Sequence, residues 1–178
     1  MTARQTTHAV MAEPDLPEDQ RRWIDAIRAE NDPRHSIVPA HVTLVFPALF
    51  DNAARFADHI EGIARRHAPI MFHLRTALAV KDPLGPFTHV YLVPEEGFSA
   101  IVRLHDAFYT GPLADFLRLD VPYIPHVTVA AFADPAGAKG LVDRLNGESL
   151  DITGRLDGVS VLRCTADKVE TLSRCALG

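Results

Sequence analysis

Two periodicities alternate along the chain. Apolar residues at every second position predict strands, and apolar residues three and four apart predict helices. Thr6–Met11 reads as a short strand. Asp15, three residues before Glu18, marks a helix start; Trp23, Ile24 and Ile27 give that helix an apolar face, and Pro33 ends it. His41–Phe46 is rich in β-formers and closes at Pro47. Asp51 or Asn52 caps a second helix, on which Phe56, Ile60, Ile63 and Ala64 share one side. Ile70–Val80 reads as a strand and Lys81–Pro86 as a turn.

The same order then returns. Phe87–Val93 is a strand; Phe98, Ile101, Val102, His105 and Phe108 line a helix that Gly111-Pro112 terminates. His126–Phe132 is a strand, and Asp134 caps a helix with Pro135 in its first turn and Gly147 at its end. Leu150–Arg155, Val159–Cys164 and Val169–Ala176 read as closing strands. Each half, 1–83 and 84–178, runs strand, helix, His-Val-Thr strand, helix, strand. The repeat predicts one α+β domain over 1–178, built from a duplicated unit whose copies pack as lobes about a pseudo-two-fold axis.

Composition narrows the setting. Of 178 residues, 47% are hydrophobic and 23% charged, the profile of a soluble globular chain and not of a disordered one. No apolar run approaches the ~20 residues of a membrane span, and Met1–Gln5 lacks the apolar core of a secretion signal. Cys164 and Cys175 make neither a disulfide framework nor a metal cluster, which fits thiols in a reducing cytoplasm. A net charge of −5 argues against gripping long duplex nucleic acid. The basic residues are 15 Arg and only three Lys, so phosphate recognition would rest on forked guanidinium groups.

The chemistry is concentrated in two segments, Pro39-Ala40-His41-Val42-Thr43-Leu44 and Pro125-His126-Val127-Thr128-Val129, whose histidines are 126 − 41 = 85 residues apart. On a strand, His and the Thr two residues later share a face, ~6.5–7 Å apart, while the aliphatic residues anchor the opposite face. Nine His and 11 Thr would produce about 0.6 His-x-Thr by chance, so one bare copy means little. Two copies with Val inside and an aliphatic residue following, in matching halves, point to function. Facing each other, they would bring two imidazoles and two hydroxyls to one phosphodiester. One neutral imidazole can deprotonate water while its protonated partner protonates the departing oxygen. The threonines can donate to the non-bridging oxygens, and such a site needs no metal.

These paired motifs resemble those of the two-histidine (2H) phosphoesterase superfamily, in its 2′-5′ RNA ligase-like, cyclic phosphodiesterase branch. The resemblance extends over the opening strand and helix, the Gly85-Pro86-Phe87 turn and the closing strands. It implies a bilobal fold with two antiparallel sheets around a central cleft and helices outside. It also implies metal-independent cyclic phosphodiesterase or ligase chemistry on RNA ends or nucleotides, with His41, Thr43, His126 and Thr128 as the catalytic set; no cofactor is expected, and the cysteine usage predicts a cytoplasmic protein. Relatives often carry a basic residue soon after the second motif, where this chain has Ala130-Ala131. With the acidic balance, that favours a 2′,3′-cyclic phosphate or another small phosphodiester as the substrate to be hydrolysed; the chain is expected to act as a monomer. The alternatives are a 2′-5′ RNA ligase or a non-catalytic nucleotide-binding module.

Four further residues are candidates for substrate contact. His89 and Tyr91 share a strand face with Phe87 and Val93 and could wall the cleft and stack a base. Tyr123 precedes the second motif, and Arg163 ends a strand where the family often has a basic residue. No CxxC, HExxH or acidic cluster offers a metal site. His8, His35, His59, His67, His73 and His105 show no partner pattern and read as ordinary surface or core residues.

Overall fold

The computed structural model describes residues 6–83, 85–165 and 168–178. Met1–Gln5 and Leu84, inside the expected Lys81–Pro86 turn, lie outside the described residues. In chain order the elements are β1 (Thr7–Ala12), α1 (Glu18–Asn31), β2 (Val42–Ala48), α2 (Ala53–Ala64), β3 (Ile70–Lys81) and β4 (Thr88–Glu96). There follow α3 (Phe98–Phe108), a 3₁₀ turn (Gly111–Phe116), β5 (Val127–Phe132), α4 (Pro135–Gly147), β6 (Ile152–Leu156), β7 (Gly158–Cys164) and β8 (Val169–Ala176). The strands form two four-stranded antiparallel sheets, ordered β2-β1-β7-β8 and β5-β4-β3-β6.

The two orders correspond position by position. Each motif strand, β2 or β5, is an edge strand paired to the first strand of its own half, β1 or β4. The midpoint of the chain, however, is not a lobe boundary. It separates β3 from β4, which are hydrogen-bonded neighbours, and β7 and β8 return to the sheet of β1 and β2. The halves 1–83 and 84–178 therefore repeat an order of elements, while each sheet draws strands from both. The helices cross over too: α1 packs on β5 and α3 on β2, so each motif strand is backed by a helix of the other half.

Several local expectations change. Asp15 does not cap α1; its backbone bridges Arg155, and Pro17 takes the cap position without a side-chain bond. Asn52, not Asp51, caps α2 by accepting from the Arg55 N–H at 3.0 Å. Pro47 does not end β2. Proline is tolerated on an edge strand, and the register shift between His8↔Ala48 and Val10↔Val45 leaves it at an irregularity. Gly111-Pro112 does not stop α3, which ends at Phe108; it opens the 3₁₀ turn.

One large core runs beneath both sheets. Val10 and Ala12 of β1 join it from one face, with Ile24 and Ile27 of α1 and Phe56 and Ile60 of α2. The opposite face of β1 carries Ala9 and Met11, which with Val38 and Leu162 form a small separate apolar cluster. The entry to α3 depends on Gly97, whose φ is +84°; a Cβ there would lie 2.5 Å from the Met71 carbonyl oxygen.

Candidate active site

A cavity of about 550 Å³ lies between the sheets. One wall comes from β1, β2, β7 and β8, through Met11, Thr43, Leu162, Cys164 and Val169; the other comes from β4 and β5, through His89, Tyr91, Thr128 and Ala131. His41 and His126 line it together. Of the eight candidates, six (His41, Thr43, His89, Tyr91, His126 and Thr128) meet in this one cavity.

Each motif histidine stands one residue before its strand, and the two are held alike. His41 Nδ1 is 2.8 Å from the Pro39 carbonyl oxygen, and His126 Nδ1 is 2.5 Å from that of Ile124. A carbonyl can only accept, so each Nδ1 carries the proton and donates it. That fixes the tautomer of the neutral ring and leaves Nε2 unprotonated, as a base needs. Burial disfavours the imidazolium at both. His41 is held below its usual range, chiefly by burial, with the Pro39 carbonyl opposing and the Arg28 and Arg34 charges assisting. His126 is pushed down to about 4 by burial against the pull of the Ile124 carbonyl, with the His41 and His89 charges adding to the fall.

The second wall stacks. Tyr91 lies on His126 with ring centroids 3.4 Å apart and planes 15° apart, and His89 lies on Tyr91 at 5.9 Å and 14°. Tyr91 thus lines the cavity with one ring face spent on His126. His89 Nε2 is 3.6 Å from Asp82 Oδ2.

Two candidates fall elsewhere. Tyr123 does not line the cavity; its hydroxyl donates to the Thr43 carbonyl at 2.9 Å, and its ring stacks on His105 at 3.5 Å. His105, expected to be ordinary, bonds the Leu44 carbonyl through Nδ1 at 2.8 Å, and the Tyr109 hydroxyl accepts the Phe46 N–H at 2.9 Å. The backbone groups of edge strand β2 are thereby occupied by side chains from α3 and the segments around it. Arg163 is also away from the cleft. Strand alternation puts Leu162 and Cys164 on the cavity face and Arg163 on the other, where it pairs with Glu170 at 3.4 Å.

Arg28 and Asp32 were missed. Both line the cavity and both are buried, Arg28 at 2% exposure. Arg28 Nε and Nη2 reach Asp32 Oδ2 at 3.0 and 2.9 Å, and Nη2 also donates to the Val38 carbonyl at 2.8 Å. Arg28 thus ties α1 to the segment that delivers Pro39 and His41. Its signal was present in the sequence: it continues the buried Ile24–Ile27 face of α1, with an acid four residues on and Pro33 next.

Residues 16–168 match the family described as the 2′-5′ RNA ligase superfamily. A protein of Oceanobacillus iheyensis, provisionally named a phosphoesterase, is 24% identical over 140 residues, 78% of this chain and 79% of that protein. Among solved structures, a Thermus thermophilus protein shares the fold with a TM-score of 0.61 at 17% identity, over 96% of this chain and 97% of its own. E. coli LigT in its apo form gives 0.59 at 17%, over 98% and 99%, and its complex with 3′-AMP gives 0.55 at 16%, over 98% of each. With the family match spanning most of its length and this fold beneath it, the chain belongs to the 2′-5′ RNA ligase superfamily of two-histidine phosphoesterases.

Proposed function

We propose that the protein is a metal-independent phosphoesterase that opens 2′,3′-cyclic phosphates of small nucleotides, with His41 and His126 as its acid–base couple. The observation that carries this reading is the matched pair of imidazoles, each held at Nδ1 by a carbonyl two residues earlier, in one cavity. One ring, neutral at Nε2, takes a proton from water as the new oxygen–phosphorus bond forms. The other, charged at Nε2 once the substrate's anionic phosphate beside it offsets the penalty of burial, gives that proton to the ribose oxygen as the old bond breaks. Water adds across the ester, and the enzyme has passed one proton in and one out. Thr43 and Thr128 donate to the non-bridging oxygens, where charge builds.

A cavity of about 550 Å³ suits a mononucleotide, within the ~300–1,000 Å³ usual for small-molecule sites. Its apolar wall at Met11, Leu162 and Val169 offers a surface for a base, and Ala131 stands where a further cation would serve a longer strand. The LigT complex with 3′-AMP is an instance of this fold holding a nucleoside monophosphate. Among the described residues no group of three His, Cys, Asp or Glu side chains that could hold a metal gathers; the titratable lining of the cavity includes the imidazoles of His41, His89 and His126 and the Asp32 and Asp82 carboxylates.

The test is a screen of 2′,3′-cyclic mononucleotides and 2′-5′-linked dinucleotides, with products identified by mass and regiochemistry. Turnover of the cyclic phosphates to a single monophosphate isomer, unchanged by EDTA, is expected. Loss of turnover in EDTA, or joining of RNA ends without hydrolysis, would overturn it. Nucleotide binding with no turnover would identify a binding module instead.

A further inference from the structure

Among the described residues the lining of the cleft holds two arginines, Arg28 and Arg34, and no lysine. Arg28 is buried and engaged by Asp32 and the Val38 carbonyl. Arg34, in the loop between α1 and β2, is exposed, and among the described residues no hydrogen-bond or ion-pair partner meets its side chain. Its charge reaches into the cavity. Burial chiefly holds His41 below its usual range and Arg34 adds to the fall; burial pushes the Cys164 thiol up and Arg34 opposes the rise.

The backbone beneath that side chain is held at each polar group. The Arg34 N–H donates to Asp32 Oδ1 at 2.9 Å, and its carbonyl accepts from Ile37 at 2.9 Å and from Val38 at 3.1 Å. The His35 N–H donates to the Asp32 carbonyl at 3.0 Å. Both ends of this turn are tied to one buried side chain, because Arg28 holds the Asp32 carboxylate and the Val38 carbonyl together. Ordering a backbone costs entropy when a ligand binds, and a turn fixed beforehand avoids that cost. The turn therefore presents an uncommitted guanidinium to the cavity in advance.

The reacting phosphate already has two imidazoles and two hydroxyls assigned to it. Arg34 stands outside that set, seven residues before His41 and on neither motif strand. It is exposed where His41 and His126 are half-buried, which puts it at the rim. A guanidinium fork matches two phosphate oxygens, and the anionic groups of a nucleotide are its phosphates. We propose that Arg34 is a specificity-determining residue that grips a second, non-reacting phosphate at the 5′ position, so that the preferred substrate is a 5′-phosphorylated nucleoside 2′,3′-cyclic phosphate. This assignment rests on the reading of the cleft as a cyclic phosphodiesterase site. The 5′ carbon lies across the ribose from the 2′,3′ edge, so a phosphate there projects toward the rim while the cyclic phosphate sits between the imidazoles.

The test is calorimetric titration of wild type, Arg34→Gln and Arg34→Lys with adenosine 3′,5′-bisphosphate and with 3′-AMP. These ligands differ by the 5′-phosphate alone, and their binding needs no turnover. Wild type is expected to bind the bisphosphate about tenfold more tightly, the worth of a charge-assisted hydrogen bond, and the preference should shrink at high salt. Arg34→Gln should bind the two alike, and Arg34→Lys should keep part of the preference. Equal affinities in wild type, a preference intact in Arg34→Gln, or saturation by neither nucleotide would overturn the assignment. Hydrolysis of adenosine 2′,3′-cyclic phosphate, with and without a 5′-phosphate, is measured alongside. A binding preference that depends on Arg34, without turnover, would refute the hydrolase reading and leave the role of Arg34 standing. Turnover with no preference for the 5′-phosphate would refute that role alone.

Discussion

The depressed basicity of His126 makes a stability prediction with a definite sign. The folded protein holds this imidazole near 4, whereas an unfolded chain leaves it near 6.5. As pH falls below about 6.5 the unfolded chain takes up a proton that the folded one refuses, so stability is lost through that window. Below about 4 both states are charged and the loss stops. A separation of about 2.5 pKa units corresponds to about 3 kcal/mol in full, of which about 2 kcal/mol falls between pH 7 and about pH 4.5. Urea unfolding at both pH values, on wild type and on His126→Asn, isolates this share, because the other buried histidines contribute to both proteins. Wild type should lose about 2 kcal/mol more than the variant over that interval. Equal losses would refute the reasoning, since they would mean that His126 titrates alike folded and unfolded.

Three other perturbations probe the supports around the cleft. Arg28→Met leaves the Asp32 carboxylate buried without its partner, and denaturant melts should show a loss of about 3–5 kcal/mol. Tyr91→Phe keeps the ring on His126 and should keep activity, whereas Tyr91→Ala releases it; kcat should fall about ten- to a hundredfold with little change in KM, read by steady-state kinetics. His105→Leu strips the Leu44 carbonyl of its donor and should cost about 1–3 kcal/mol in unfolding experiments.

What could be read from the sequence follows the range of the interactions involved. His41 with Thr43, and His126 with Thr128, could be paired in advance because strand alternation is local and acts alike in both halves. The helix faces at Ile24–Ile27 and Phe56–Ile63 were legible for the same reason. Arg163 was misplaced by one alternation: which face of β7 meets the cleft depends on β7 pairing with β1, across more than 140 residues. Tyr123 sits beside the motif in sequence, but α3 backing β2 turns it toward the Thr43 carbonyl. The lobe boundary escaped because the closing strands return to the first sheet, and no local pattern encodes which edge a strand will join. Arg28 is the instructive miss, a charge on a buried helix face that is tolerated because Asp32 and the Val38 carbonyl meet it there.

The central claim is that two imidazoles act as one couple on a bound phosphodiester. Turnover of a 2′,3′-cyclic mononucleotide by wild type, His41→Ala, His126→Ala and the double variant tests it most directly. Each single substitution should cost about 10²–10⁴ in kcat. The double variant should be scarcely worse than either single one, because half of an acid–base couple does little alone. Full activity in either single variant would contradict the account.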